Sequence, residues 1–295
     1  MNIRFWVIAT VFDGRRDVLV KNYMNTIWKI YFSATGTTKK VIDCIGDELA
    51  NKFSFNVLTY DFTLPEARLS FPKVASGDLV VFGVPTYAGR VPNLLLKYLD
   101  TIAGNGSLAV PVVTFGNRAF DNSLIELRDI LECHGFRTVA AAAFSCEHSF
   151  SFTLAAGRPD ADDISSAKSF AEHIYNKVSK TDFKATAYAP VKVDGDEPAG
   201  YYQPKTDEGI PIDIRKAKPK TAANCTKCGT CAKVCPMGSI SFEDFSIVSG
   251  VCVKCGACIK KCPAHAKYFD DAGYLYHKEQ LERNFQRPAG NIFFI

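Results

Sequence analysis

The sequence predicts two domains: a doubly wound α/β domain with a five-stranded parallel sheet, then a small second domain built on a duplicated cysteine motif. Three observations predict this. From Ile27 to about Lys180, short apolar runs alternate with stretches of helical periodicity, the pattern of a parallel sheet covered by helices on both faces. Residues 181–215 and the positions just after them hold Pro190, Pro198, Pro204, Pro211 and Pro219 with little periodicity, too long a segment for a loop inside one compact domain. Beyond it, the runs 225–236 and 252–263 agree at 8 of 12 positions and repeat the spacing C-x2-C-x2-C-x3-C-P. A chain of 295 residues, 47% apolar, is long enough for two cores.

The elements follow in order. Residues 3–12 are apolar, but Asp13, Gly14, Arg15, Arg16 and Asp17 follow in place of a small-residue cleavage site, so no signal peptide is read. Residues 1–26 read as an N-terminal extension, with an added strand as the competing reading, and the sequence leaves both open. Within 27–180, apolar runs place strands at 27–32, 53–60, 78–84, 109–115 and 136–144. Helical patterns fall at 37–51, 91–100, 121–134 and 164–179. Residues 181–215 form the connector, 216–270 the cysteine domain, and 271–295 a short helix around 276–286 with an apolar end expected to dock on one of the domains. No stretch approaches eighteen uninterrupted apolar residues, so no membrane-spanning segment is expected.

Three loops at carboxyl ends of strands carry chemistry. Ser33-Ala34-Thr35-Gly36-Thr37-Thr38 leaves the first strand and opens a helix, so backbone N–H groups and the helix dipole face a prospective anion. The hydroxyls of Ser33, Thr35, Thr37 and Thr38 add donors, and Gly36 lets the backbone come close. A plain Ser/Thr helix cap is the structural alternative, but a cap needs one hydroxyl and this loop has four. The loops Pro85-Thr86-Tyr87-Ala88-Gly89-Arg90 and Gly116-Asn117-Arg118-Ala119-Phe120-Asp121, the latter preceded by Thr114, leave strands three and four, where doubly wound folds bind ligands. Glu147-His148-Ser149 follows strand five, and a lone histidine there is more often structural.

Eight of the eleven cysteines lie in the two runs: Cys225, Cys228, Cys231 and Cys235, then Cys252, Cys255, Cys258 and Cys262. Their spacing is that by which two-cluster bacterial ferredoxins hold a pair of 4Fe-4S clusters. Gly229 and Gly256 allow the tight curl such ligation needs, and Pro236 and Pro263 end the turns. A zinc ribbon would use two C-x2-C pairs separated by a long loop, without a third cysteine two residues on. A disulfide framework is too sparse at eleven cysteines in 295 residues. Cys44, Cys133 and Cys146 sit in apolar surroundings and read as buried thiols.

The net charge of +4 is unevenly distributed. From Lys216 to Asp270 nine lysines face Glu243, Asp244 and Asp270, giving +6 and leaving −2 for the rest of the chain. A basic module invites a nucleic-acid reading. The lysines at 227, 233, 254, 260, 261 and 267 interleave with the cysteines instead, where they would offset an oxidised cluster of roughly −2, ease its reduction and attract an acidic partner.

From about Ile27 to Asp270 the chain resembles the flavodoxin–ferredoxin fusion proteins of anaerobic bacteria and archaea. The resemblance rests on the eight cysteines and the three loops, and it implies a flavodoxin strand order 2-1-3-4-5 followed by a small α+β ferredoxin-like domain. It further implies FMN and two 4Fe-4S clusters in one cytoplasmic polypeptide. Cys225, Cys228, Cys231 and Cys262 would hold one cluster, and Cys252, Cys255, Cys258 and Cys235 the other. The loop 33–38 would take the FMN phosphate, Tyr87 would stack on the flavin ring, and 116–121 would meet its pyrimidine edge. Gly104-x-Gly106 lacks a third glycine and no acidic residue follows, so no NAD(P)H domain is read. The expected function is electron transfer with a ferredoxin-type or oxidoreductase partner, without nucleic acid or membrane, and with homodimer formation left open. The alternative is a ferredoxin-dependent reductase of a quinone, nitro compound or enone.

Overall fold

The computed structural model describes residues 26–181, 188–196 and 200–295. The expected N-terminal extension therefore lies, up to residue 25, outside the described residues. The first domain runs β1 (Thr26–Tyr31), α1 (Thr37–Phe53), β2 (Asn56–Asp61), β3 (Leu79–Pro85), α2 (Asn93–Leu99), β4 (Leu108–Phe115), α3 (Ser123–Cys133), β5 (Arg137–Thr138), β6 (Ala141–Ser145) and α4 (Ala161–Val178). Its sheet has the order β2-β1-β3-β4-β6, all parallel, which is the flavodoxin order. Strands β3 and β4 are buried on both faces, as a central parallel strand must be. Alternation then sorts the core: Ile30, Val80, Phe82 and Val113 pack with α2 and α3, while Ile27, Val81, Val112 and Phe144 pack with α1 and α4.

Where boundaries differ from expectation, local chemistry explains the shift. Helix α4 begins at Ala161 because Asp160 and Asp163 form a reciprocal capping box. The fifth strand splits into β5 and β6 at Thr138, whose carbonyl accepts from the connector's Val191 N–H at 3.1 Å and from the Tyr188 hydroxyl at 2.9 Å.

The second module contains β7 (Lys220–Thr221), α5 (Thr230–Lys233), α6 (Ala257–Lys260) and β8 (Lys267–Tyr268), with β7 and β8 antiparallel. Helix α7 (Ala272–Asn284) starts four residues before its expected position because the Asp271 side chain accepts from Tyr274 N–H at 2.8 Å. The chain ends in β9 (Ile292–Phe294), which adds antiparallel to β6 and sets Phe293 against Phe144 and Phe170. The apolar end thus completes the first domain's sheet edge.

The connector has no helix or strand among its described residues, yet it is pinned along the first domain. Tyr202 N–H donates to the Ala88 carbonyl at 2.8 Å, the Tyr201 hydroxyl to Val91 O at 3.1 Å, and the Arg118 guanidinium stacks on Tyr202 at 4.3 Å. The two cores also touch directly: Cys255 and Ala257 are buried in the same apolar cluster as Phe82 and Val113. Among the described residues no helix is long and apolar enough to cross a membrane.

Candidate functional site

A single cavity opens at the carboxyl end of β1, β3, β4 and β6. Ala34, Thr35, Thr37 and Thr38 line one end, Thr86, Tyr87 and Gly116 its middle, and His148, Ser149 and Cys255 the far wall. It holds about 430 Å³ of empty space including its mouth.

At the 33–38 end, the chain turns into α1 through Gly36 at φ 103°, a left-handed conformation that suits glycine, and a Cβ there would meet nothing within 4 Å. Gly36 at the N-cap has no capping side chain, and Thr37 and Thr38 of the first turn line the cavity, so the positive dipole end of α1 is turned towards it. The four hydroxyls divide into two pairs. Ser33 Oγ accepts from Lys39 N–H at 2.9 Å, and Thr38 Oγ1 is bonded to Thr114 Oγ1 at 2.7 Å, so both hold the loop in shape. Thr35 and Thr37, whose hydroxyls lie 3.5 Å apart, are left to meet a ligand.

Tyr87 lines the cavity, and burial pushes its phenol up, with Cys255 and Cys252 adding to the rise. Thr86 shares a 2.6 Å hydrogen bond with Ser123. Pro85 and Thr114 also line the cavity, while most of the remaining residues of these loops have side chains engaged within the protein, which differs from the expectation. Arg90 pairs with the Glu126 carboxylate. Ala88 is held by Tyr202, and Gly89 makes room for the Asp121 carboxylate, not for a ligand. Asn117 is buried, with its amide donating to the Phe285 and Arg287 carbonyls and accepting from Ala289 N–H. Arg118 pairs with Asp121 and stacks on Tyr202, while Phe120 packs on Phe115. Of the loop 116–121 only Gly116 lines the cavity, and the C-terminal tail takes the side-chain amide of Asn117.

Glu147, His148 and Ser149 replace that loop as the cavity wall. His148 Nδ1 accepts from Phe150 N–H at 3.1 Å, which leaves Nε2 to carry the proton. Burial, then the nearby His277, Lys260 and Arg118, pushes the imidazole down to about 3, so it is neutral. Gly116 is required here because a Cβ would collide with the His148 ring. Glu147 accepts from Gly157 N–H at 2.9 Å within the first domain and pairs with Lys260 about 110 positions later, a partner with no local signal in the sequence.

The second cysteine run lies against this wall. Glu147 forms an ion pair with Lys260, Lys260 Nζ donates to Ser151 O at 2.5 Å, and the Ser149 carbonyl sits so close to Gly256 that no Cβ fits. Arg68 Nη2 adds a 2.6 Å bond to Pro236 O. Behind Cys255 a second, small cavity is lined by Cys235, Cys252, Cys255 and Cys258, with Ser239, Lys254 and mostly apolar side chains such as Ile240, Val248 and Phe269. Burial pushes the Cys255 thiol up to about 12, so its thiolate needs a compensating positive charge. Cys231 and Cys262 are buried, Cys225 half-buried and Cys228 exposed. Among the described residues no group of three or more His, Cys, Asp or Glu side chains converges on a single metal ion.

Residues 224–266 match the family model described as a 4Fe-4S dicluster domain. The first domain is similar in fold to solved flavodoxins. An archaeal flavodoxin is 17% identical with a TM-score of 0.39, covering 52% of this chain and 99% of its own. A Fusobacterium nucleatum flavodoxin variant bound to flavin mononucleotide is 20% identical with a TM-score of 0.37, covering 54% of this chain and 98% of its own. The NADH:FMN oxidoreductase EMOB, in its apo form, is 20% identical with a TM-score of 0.37, covering 54% of this chain and 92% of its own. No curated protein matches the chain.

Proposed function

We propose that this chain is an iron–sulfur flavoprotein that transfers electrons between two 4Fe-4S clusters, FMN and a partner redox protein. One observation carries the reading: the cavity that begins at Thr35 and Thr37 ends at Cys255 of the second cysteine run. Thr35, Thr37 and the α1 N-terminus would hold the phosphate, with Tyr87, Gly116 and His148 beside the ring. Cys235, Cys252, Cys255 and Cys258 would hold the inner cluster, and Cys225, Cys228, Cys231 and Cys262 the outer one. When bound, clusters supply one-electron steps and a flavin stores one or two electrons.

The chain's own residues then do three things. The Glu147–Lys260 pair and the Ser149–Gly256 contact fix the second run against the flavin cavity. Tyr87, His148 and Cys255 wall the cavity from water, which keeps reduced groups from side reactions. The lysines of the module offset the negative charge of reduced clusters. This closed wall supports a carrier over a reductase, since the cavity's far side is already occupied by the chain's own second run.

Anaerobic purification with FMN, iron and acid-labile sulfide quantitation, followed by a stepwise redox titration, tests the reading. The expected content is one FMN and two clusters per chain, with reduction by dithionite fast and by NADH or NADPH alone slow. Two zinc ions without acid-labile sulfide, or rapid NADPH oxidation against a small-molecule acceptor, would overturn it.

A further inference from the structure

The duplicated motif places equivalent residues in two environments. Lys227 and Lys254 occupy the same position of the two runs, as do Cys228 and Cys255, Gly229 and Gly256, and Lys233 and Lys260. Their backbones match as well, with φ of 76° at Gly229 and 74° at Gly256, each opening a four-residue helix. In the second run this set is an internal docking surface. The first domain engages it with one carboxylate, Glu147 on Lys260, and with the backbone carbonyls of Ser149 and Ser151. Lys254 is occupied too, donating to the Arg215 and Cys252 carbonyls at 2.7 and 2.9 Å.

In the first run Lys227, Cys228 and Lys233 face solvent, and Gly229 is buried within the module itself. The Lys233 ammonium makes no hydrogen bond or ion pair with any described residue. Gly229 is met only by the module's own side chains, Phe245 Cζ at 3.4 Å and Lys233 Cε at 4.0 Å from where a Cβ would stand. Lys216, Lys220 and Lys261 are exposed as well. On the loop that carries Phe245, Phe242 is 61% and Ile247 51% exposed. An apolar centre with a charged rim is the anatomy of a transient protein interface.

We propose that the face around Cys228 and Lys233 docks an acidic redox protein, whose carboxylates meet Lys233 and Lys227 as Glu147 meets Lys260. The inference rests on the electron-transfer reading above. The internal repeat supplies the partner's chemistry, since the chain already shows what its twin surface binds: a carboxylate presented beside backbone carbonyls. The first domain cannot serve both runs, because Glu147 is engaged at the second. The site of the outer cluster is thus the port to other proteins, and the inner one faces the flavin cavity.

Stopped-flow mixing of the cluster-loaded protein with a chemically reduced acidic bacterial ferredoxin tests this, at low and high salt. The Lys227→Glu/Lys233→Glu variant is expected to lower the second-order rate constant at least about tenfold at low salt and to flatten its salt dependence. Lys233→Gln should give a smaller loss in the same direction, the flattened salt dependence separates lost docking from the lower cluster potential that the lost lysines also bring, and a basic cytochrome c should oxidise the Glu variant faster than wild type. An unchanged ferredoxin rate in a variant with full iron and sulfide content would overturn the proposal. So would tight binding of duplex DNA that the Glu variant loses while its ferredoxin rate stays the same. Wild type that carries no iron and sulfide would instead sink the electron-transfer reading beneath it.

Discussion

Replacing Thr35 and Thr37 together with Ala is expected to weaken FMN strongly while sparing riboflavin. The structure separates these two hydroxyls from their neighbours: Ser33 and Thr38 are bonded within the protein, whereas Thr35 and Thr37 line the cavity at the start of α1. Each charge-assisted hydrogen bond to a phosphate contributes about 1.5–3 kcal/mol. Losing two therefore removes about 3–6 kcal/mol, or roughly a 100- to 10,000-fold rise in the FMN Kd. Quenching of flavin fluorescence on titration into the apoprotein measures both ligands. Thr38→Val is the control, since it breaks the 2.7 Å bond to Thr114 and should lower the unfolding midpoint more than it discriminates between the two flavins. If the double variant loses FMN and riboflavin equally, these hydroxyls do not hold a phosphate and the assignment of the cavity's polar end is wrong.

Four further outcomes follow from the same geometry. Gly256→Ala should destabilise more than Gly229→Ala: both pay about 1–2 kcal/mol for a left-handed residue, but only Gly256 faces the Ser149 carbonyl, and equal denaturation midpoints would refute the contact. Glu147→Gln should loosen the second run from the first domain and speed proteolysis between them. Although burial opposes it, hydrogen bonds from Lys260 and Gly157 N–H hold the Glu147 carboxyl below its ordinary 4.5, so its stabilisation is present above that pH and lost as pH falls through the lower folded value; an acid-unfolding midpoint identical to that of the Gln variant would refute this. Cys255→Ala should remove the inner cluster and Cys228→Ala the outer one, read as half the iron in each case; full iron in either refutes its assignment. Phe293→Ala should unpin the tail from Phe144 and Phe170, and an unchanged thermal midpoint would show that β9 adds no stability.

The sheet order and the cysteine module were legible because both rest on short-range pattern. The short apolar runs at 27–32 and 78–84 and the repeat at 225–263 need no knowledge of what lies far along the chain. The cavity's polar end was legible for the same reason, since Ser33 to Thr38 form one contiguous turn. The far wall was not. Asn117 looks like a ligand-facing turn residue until Phe285, Arg287 and Ala289, about 170 positions later, take three of its four side-chain hydrogen bonds, with Ser145 making the fourth. Likewise Pro190, Pro198 and Pro204 signal an extended connector, but nothing local tells that Tyr188 straps it to β5 and Tyr201 and Tyr202 to the loop after β3.

Those long-range contacts bear on how the molecule handles electrons. With the tail on Asn117, the connector on Ala88 and Arg118, and the second run on Ser149, three separate segments close the same edge of the first domain. Each closes it with hydrogen bonds to backbone or with a buried ion pair, interactions that water would otherwise satisfy and whose loss leaves desolvated groups behind. A lid that must open for a small substrate is drawn from weakly held elements. This edge is held at three points that do not share partners, so opening it would break all three together. The geometry therefore favours traffic of electrons across the Cys255 wall over traffic of molecules through it, with the exposed first run left as the place where another protein is met.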